Sequence, residues 1–179
     1  MTSGTHQLIG PNSDDVSSGV IKNTLTGTGN AYTVSQLTDD FAFYFMGQRY
    51  TSFSVNSNGL MRLGDTPIAA NLYGIGTSTA PLLAPFGGNL ATSAVGKVHY
   101  KLNGSGTQRA LVVEWSNMQL NNASSTADGT FQVRLYESTG VVEYVYSFMT
   151  LGDGAGLSGY SVGFSTGTSA GQYNWVNSN

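Results

Sequence analysis

The sequence predicts an all-β protein: one domain over residues 1–179, folded as an antiparallel two-sheet β-sandwich of jelly-roll-like character with about 10–13 short strands. Three observations carry that expectation. Apolar and polar residues alternate with a period of two along almost the whole chain, and no long helical period competes. Turn-forming residues recur roughly every 8–12 residues, the spacing of sandwiches and barrels. Strands with one apolar and one polar face must bury the apolar faces against each other, across a core about 10 Å thick. No repeat of about 20–50 residues is present, which argues against a solenoid or propeller.

Residues 1–18 are polar, with Gly4, Gly10, Pro11 and the Asp14-Asp15 pair, and read as an irregular lead-in. Strands are expected at Gly19–Leu25 and Ala31–Leu37, separated by the turn-rich Thr26–Asn30. Phe41–Phe45 is strongly β by aromatic content. Met46-Gly47-Gln48 turns it into a strand at Tyr50–Asn56, where Phe53 and Val55 alternate with Ser52, Ser54 and Asn56. Asn58-Gly59 is the strongest hairpin signal, because both residues tolerate positive φ, and it leads into Leu60–Leu63.

Residues 64–80 form the longest irregular piece. Pro81–Phe86 is apolar, but its prolines place it at a sheet edge or in a buried crossover rather than in a central strand. Gly87-Gly88-Asn89 opens a loop. Lys97–Leu102 and Arg109–Ser116 form a hairpin over Asn103–Gly106, with Ala110, Val112 and Glu114 on one face and Leu111, Val113 and Trp115 on the other. After the loop at 121–128, Thr130–Phe148 is a hairpin turning at Ser138-Thr139-Gly140. Phe131, Val133 and Leu135 point one way, and Gln132, Arg134 and Tyr136 the other. Gly140 allows the tight return that keeps Phe131 and Val142 in register. The loop Leu151–Gly156 leads to Tyr160–Ser165 and a last strand near Tyr173–Val176.

Composition narrows the function. Hydrophobic residues make up 40% of the chain, enough for a core, but charged residues only 9%. Gly, Ser, Thr and Asn take their place, as in secreted β modules and virion surface proteins rather than cytosolic enzymes. Seven Lys and Arg are scattered singly in a chain of net charge -3, so no basic stripe offers itself to nucleic acid. Cysteine is absent, which removes disulfides and thiolate metal sites. No apolar run approaches the ~20 residues that span a bilayer, so membrane insertion is not expected. MTSGTHQLIG lacks the basic start and apolar core of a secretory leader. The extracellular character of the composition therefore favours a piece of a larger exported precursor over a cytosolic or virion-borne chain.

FAFYFMGQRYTSFSVNSNGLMRLG at 41–64, PLLAPFGGNL at 81–90, GKVHYKLNGSGTQRALVVEWSNM at 96–118, TFQVRLYESTGVVEYVYSF at 130–148 and YSVGFSTG at 160–167 follow one another in a familiar order. In these five blocks the chain resembles the nidogen-type extracellular domain and its relatives in bacterial surface proteins. The resemblance implies a non-catalytic β-sandwich used in adhesion or matrix contact, usually within a longer exported protein. Members of that family often carry an acidic Trp-Asp-Asp-like or Trp-Ala-Asp-like stretch where this chain has Gly87-Gly88-Asn89. A cation or ligand role tied to the acidic stretch is therefore not carried over.

Each chemical signal has a plainer reading beside it. Gly159-Tyr160-Ser161-Val162-Gly163 matches the serine-hydrolase pentapeptide, but it alternates as a strand, and the chain's only histidines are His6 and His99. Glu114, Glu137 and Glu143 are the only glutamates, and Glu114 with Glu143 is the conceivable glycosidase pair. Exposed carboxylates flanking a hairpin turn more simply solvate it, with Arg109 or Arg134 as cross-strand partners. Calcium would need loop oxygens such as those of Asp39-Asp40 and Asp153, whereas ordinary turns explain Asp128 and Asp153. Asn103-Gly-Ser105 and Asn122-Ala-Ser124 fit a glycosylation sequon that arises easily by chance.

Aromatic residues give the best binding signal. Tyr73, Tyr173 and Trp175, with Asp153 as a hydrogen-bonding neighbour, are the expected ligand-binding residues; packing of the last strand is the competing role of Tyr173 and Trp175. Phe41, Phe43, Phe45 and Trp115 are expected in the core. The expected function is a non-catalytic adhesion or ligand-binding module at the cell surface or outside the cell, contacting a glycan or a surface protein. No cofactor is expected, with calcium the one possible exception. The alternatives are a structural subunit that associates with its own copies in a virion, filament or surface layer, and a glycan-active hydrolase.

Overall fold

The computed structural model describes residues 31–34, 41–75, 81–121, 126–150, 159–166 and 173–178, with only the backbone described at 31–34 and 173–178. The expected strand at Gly19–Leu25 lies outside them. Among the described residues the strands are β1 (Ala31–Val34), β2 (Phe43–Phe45), β3 (Gln48–Tyr50), β4 (Phe53–Asn56), β5 (Met61–Leu63), β6 (Leu82–Gly87), β7 (Ala91–Asn103), β8 (Ala110–Gln119), β9 (Gly129–Tyr136), β10 (Val142–Met149), β11 (Ser161–Ser165) and β12 (Tyr173–Ser178). A six-stranded sheet in the order β1-β4-β5-β6-β11-β12 packs on a four-stranded sheet in the order β10-β9-β8-β7, and β2-β3 forms a separate small hairpin. Every pairing is antiparallel, so the fold is the expected all-β sandwich.

The alternation in the sequence becomes the core. Phe131, Val133 and Leu135 of β9 and Leu111, Val113 and Trp115 of β8 point inward, onto Phe53, Val55, Met61 and Leu83 of the opposite sheet. Phe41, Phe43 and Phe45 join the same cluster. The Trp115 ring stacks on Phe131 with centroids 5.3 Å apart, and its indole N–H donates to the Asn56 carbonyl at 2.8 Å, tying the two sheets together. At the far end of β9, Gly140 at φ +67° lets the chain reverse, with Tyr136 N–H donating to Val141 O at 3.0 Å. The resulting register sets Val142 opposite Leu135, and Phe131 opposite Tyr146 rather than Val142.

Several further expectations need correction. Pro81–Phe86 is no edge or crossover: β6 is a central strand between β5 and β11. Its prolines are tolerated because Pro81 precedes the strand and acts as an acceptor from Leu63 N–H, while Pro85 falls in a bulge where Ala84 and Gly87 oppose Gly163 and Ser161. On the other side β5 pairs only with Leu82 and Leu83, so no partner requires the missing N–H of Pro85.

The Asn58-Gly59 hairpin exists, but as a three-residue loop, with Asn56 N–H donating to Leu60 O. Only Gly59 has positive φ, at +76°, as in a turn closed by a glycine bulge. The first aromatic strand is shorter than expected, and the expected strand Tyr50–Asn56 is interrupted, with Tyr50 ending β3 and Phe53 beginning β4. Finally, β7 begins at Ala91 rather than Lys97: Ala91 and Thr92 pair with Gln119 and Met118, and after an irregular stretch the pairing resumes at Lys97 opposite Ser116.

The polar side of β4 is covered as well. The segment 64–75 lies across the outside of the six-stranded sheet and makes a second small core of Leu60, Ile68, Ile75, Leu82 and Ala84, with Leu72 against it. Ser54 and Asn56 hold it: Ile68 N–H donates to Ser54 Oγ at 2.8 Å, and the Asn56 amide donates to the carbonyls of Ala69 and Leu72.

Candidate functional site

The outer face of the four-stranded sheet carries a continuous polar network. Inward-facing Val98, Leu111, Val113, Val133 and Leu135 leave the intervening residues on the opposite side. Register then aligns them in cross-strand rows. One row runs His99, Glu114, Gln132, Val145, and the next runs Lys101, Val112, Arg134, Glu143. His99 Nε2 lies 2.9 Å from Glu114 Oε1. Gln132 Nε2 donates to the other Glu114 oxygen. Arg134 Nε donates to Gln132 Oε1 at 2.9 Å, and Arg134 Nη1 reaches Glu143 Oε2 at a long 3.4 Å. Tyr136 Oη donates to the same Glu143 oxygen at 2.8 Å.

Glu114 and Gln132 are 0% exposed although they stand on the solvent side of the sandwich. A carboxylate so placed requires hydrogen-bond partners, which His99 and Gln132 supply. His99 Nδ1 is buried and has no partner among the described residues. Burial, then the Glu143 hydrogen bond, pushes the Tyr136 hydroxyl above its ordinary pKa.

Beside this network is a shallow hollow of about 210 Å³, lined by Asn103, Gly104, Gln108, Ala110, Val112, Arg134 and Tyr136. Ala110 and Val112, both buried, form an apolar floor. The turn after β7 raises Gly104 and Gln108 as one wall; a single 3-10 turn at Gly106–Gln108 shapes it. Arg134 and Tyr136 of β9 form the other. The side-chain amides of Asn103 and Gln108 make no hydrogen bond among the described residues, so they face the hollow uncommitted.

Those residues expected to bind ligand that are described do not line the hollow. Tyr73 is 42% exposed, in the segment that covers the six-stranded sheet, and its carbonyl lies against Gly87. Tyr173 and Trp175 fall on the edge strand β12, opposite Ser165 and Gly163 of β11. Asp153 lies outside the described residues, as do Asp39 and Asp40. No described contact joins Tyr73 to β12. Among the described residues, no three of His, Asp and Glu converge as metal ligands would.

The three glutamates are each engaged. Glu137 does not simply solvate its turn: Arg109 Nε donates to it at 2.7 Å and the Ala42 N–H at 2.9 Å. Glu114 and Glu143 do share a face, but β9 runs between them, about 10 Å of sheet, and Gln132 and Arg134 fill that gap. Ser161 of the hydrolase-like pentapeptide lies in β11 as a buried strand residue, in agreement with the strand reading. Gly87-Gly88-Asn89 stands where the resemblance implies a Trp-Asp-Asp-like stretch, with Asn89 exposed. A Cβ on Gly88 would sit 2.4 Å from the Tyr160 ring, and one on Gly87 2.7 Å from Leu60. The space a side chain would need here is already filled.

The sequence alone does not mark the residues lining the hollow as a binding site, although it holds part of the signal that brings them together. The turn at Asn103–Gly106 sets Ala110 beside Asn103, as observed, whereas Ala110 meets Tyr136 across the long connection between β8 and β9, which no local turn signal fixes.

A family model described as NIDO related matches residues 8–179. The chain belongs to the NIDO-related family. That match takes in every described strand and agrees with the sandwich, and membership points to an extracellular module. No curated protein and no solved structure matches the chain. No helix among the described residues is long and apolar enough to cross a membrane.

Proposed function

We propose that this NIDO-related domain is a non-catalytic recognition module of a larger surface or secreted protein, contacting a glycan or an extracellular protein through the outer face of its four-stranded sheet. The observation that carries this reading is the hollow over Val112. There an apolar floor is ringed by uncommitted amides, a tyrosine and an arginine. Small binding sites combine such a floor with a few directed polar groups. Commitment of Glu114, Glu137 and Glu143 to protein partners supports the absence of catalysis. Tyr73 offers a second, isolated aromatic contact on the opposite sheet.

A glycan array read with and without calcium tests this. Binding that Gln108→Ala weakens supports the module; uniformly blank arrays move the reading to a protein partner or a structural role. One observation favours the structural alternative: β10 is an edge strand, and no described strand pairs with its outer side. A size measurement across concentrations separates the two, because a monomer at every concentration argues against self-assembly.

A further inference from the structure

We propose that the hollow takes one carboxylate-bearing sugar residue of an acidic glycan, with Arg134 holding the carboxylate and Asn103, Gln108 and Tyr136 holding hydroxyls. This rests on the reading of the hollow as the recognition site and names its ligand class.

The argument begins with the donors Arg134 has left. Its Nε is spent on Gln132 at 2.9 Å. Among the described residues its one ion-pair partner is Glu143, at 3.4 Å from Nη1, with the Glu143 side chain 44% exposed, and the Tyr136 hydroxyl also lies within its reach. The ion pair is long and solvated, worth little on its own. The outer edge of the guanidinium is therefore available to a better acceptor, and a planar fork fits a carboxylate with two parallel bonds. The Glu143 carboxylate keeps its Tyr136 hydrogen bond at 2.8 Å while Arg134 engages a ligand.

The rest of the lining selects among acids. An acidic peptide presents repeated charges and calls for several cations, whereas among the described residues Arg134 is the single cation lining the hollow. The other polar groups are neutral: two amides, a phenol and the Gly104 backbone. One charge among neutral hydrogen-bonding groups matches a molecule with one carboxylate and many hydroxyls. Lys101 stands in the same cross-strand row, two positions from Arg134. It forms no ion pair among the described residues, so the row carries two cations against Glu143 in a chain of net charge -3. This local surplus favours an anion. A floor of Ala110 and Val112 fits the apolar face of one sugar ring, and about 210 Å³ leaves room for little more.

The test is an NMR and calorimetric titration of the whole chain with a uronate trisaccharide, with the same trisaccharide reduced at its carboxyls, and with a glutamate-rich peptide. The uronate should shift the amides of Asn103, Gln108 and Arg134, and carboxyl reduction should weaken binding about tenfold or more. Arg134→Gln should abolish the difference between the two sugars, whereas Gln108→Ala, at an exposed position, should weaken both alike. Amide spectra of each variant check that it folds. Equal binding of the two sugars overturns the acidic specificity and leaves the hollow as a sugar site. Tighter binding of the peptide overturns the saccharide assignment. If neither sugar shifts the hollow amides, both this proposal and the site reading fall.

Discussion

Trp115 and Asn56 join the two sheets: the indole N–H on β8 donates to the Asn56 carbonyl at 2.8 Å, across the buried centre of the sandwich. Asn56 is also the hub of its own hairpin. Its side-chain oxygen accepts from the N–H groups of Asn58 and Leu60, and its amide donates to Ala69 and Leu72. Trp115→Phe keeps the stack on Phe131 but orphans a buried carbonyl, and should cost about 1–3 kcal/mol in urea unfolding. Asn56→Ala removes four hydrogen bonds and should cost about 3 kcal/mol or more. It should also raise hydrogen exchange at Ile68 and Leu72 ahead of the β8–β9 ladder. Equal costs for the two variants would contradict the role given to Asn56.

Two glycines at similar φ separate conformation from contact. Gly59 at φ +76° and Gly140 at φ +67° both stand where an L-residue is strained. A Cβ on Gly140 meets nothing nearer than Tyr44 O at 3.7 Å, while one on Gly59 would lie 1.9 Å from Phe86 O. Gly140→Ala should therefore lose about 1–2 kcal/mol from backbone strain alone. Gly59→Ala should lose well beyond that, or fail to fold, since the Phe86 backbone of a central strand must move. Chemical denaturation of both variants decides it.

Stability should fall in acid partly through Glu137. Burial raises the pKa of this carboxyl, but the Arg109 guanidinium and the Ala42 N–H outweigh it, and the net shift is below the ordinary value of 4.5. A depressed folded-state pKa gives stability that is present above the unfolded value and is lost as pH falls through the folded one. Glu137→Gln should accordingly be less stable than the parent near neutrality and should converge with it below about pH 4. A gap that persists unchanged in acid would show that the Arg109 ion pair is not its source.

Burial also sets the cost of losing each carboxylate on the outer face. Glu114→Ala leaves His99 and Gln132 without a buried acceptor and should cost about 3–5 kcal/mol. Glu143→Ala removes a half-exposed partner and should cost about 1 kcal/mol or less. Thermal unfolding of the pair tests this. The milder Glu114→Gln and Glu143→Gln should leave any polysaccharide hydrolysis unchanged, because the parent should show none.

Much of the fold was legible because alternation and turn residues act locally. The Phe131–Tyr136 pattern, the Gly140 return and the Trp115 anchor all needed only nearby sequence. What alternation cannot show is whether the polar side of a strand is covered. Ser54, Asn56, Glu114 and Gln132 read as solvent-facing yet are buried, by the 64–75 segment in the first two cases. The centrality of β6 was hidden because Pro85 is excused by a bulge that pairing alone reveals. The site was less legible. Exposed aromatics such as Tyr73 stand out in a sequence, whereas the hollow is made by register between β7, β8 and β9 from residues of ordinary type.

The central claim is that recognition occurs over Val112 on the four-stranded sheet. Hydrogen exchange of the whole domain, with and without a saturating array-selected glycan, tests it most directly. The account predicts slowed exchange at 103–112 and 134–136, with 71–75 and β12 unchanged. Protection confined to Tyr73 and β12, with none at the hollow, would contradict it.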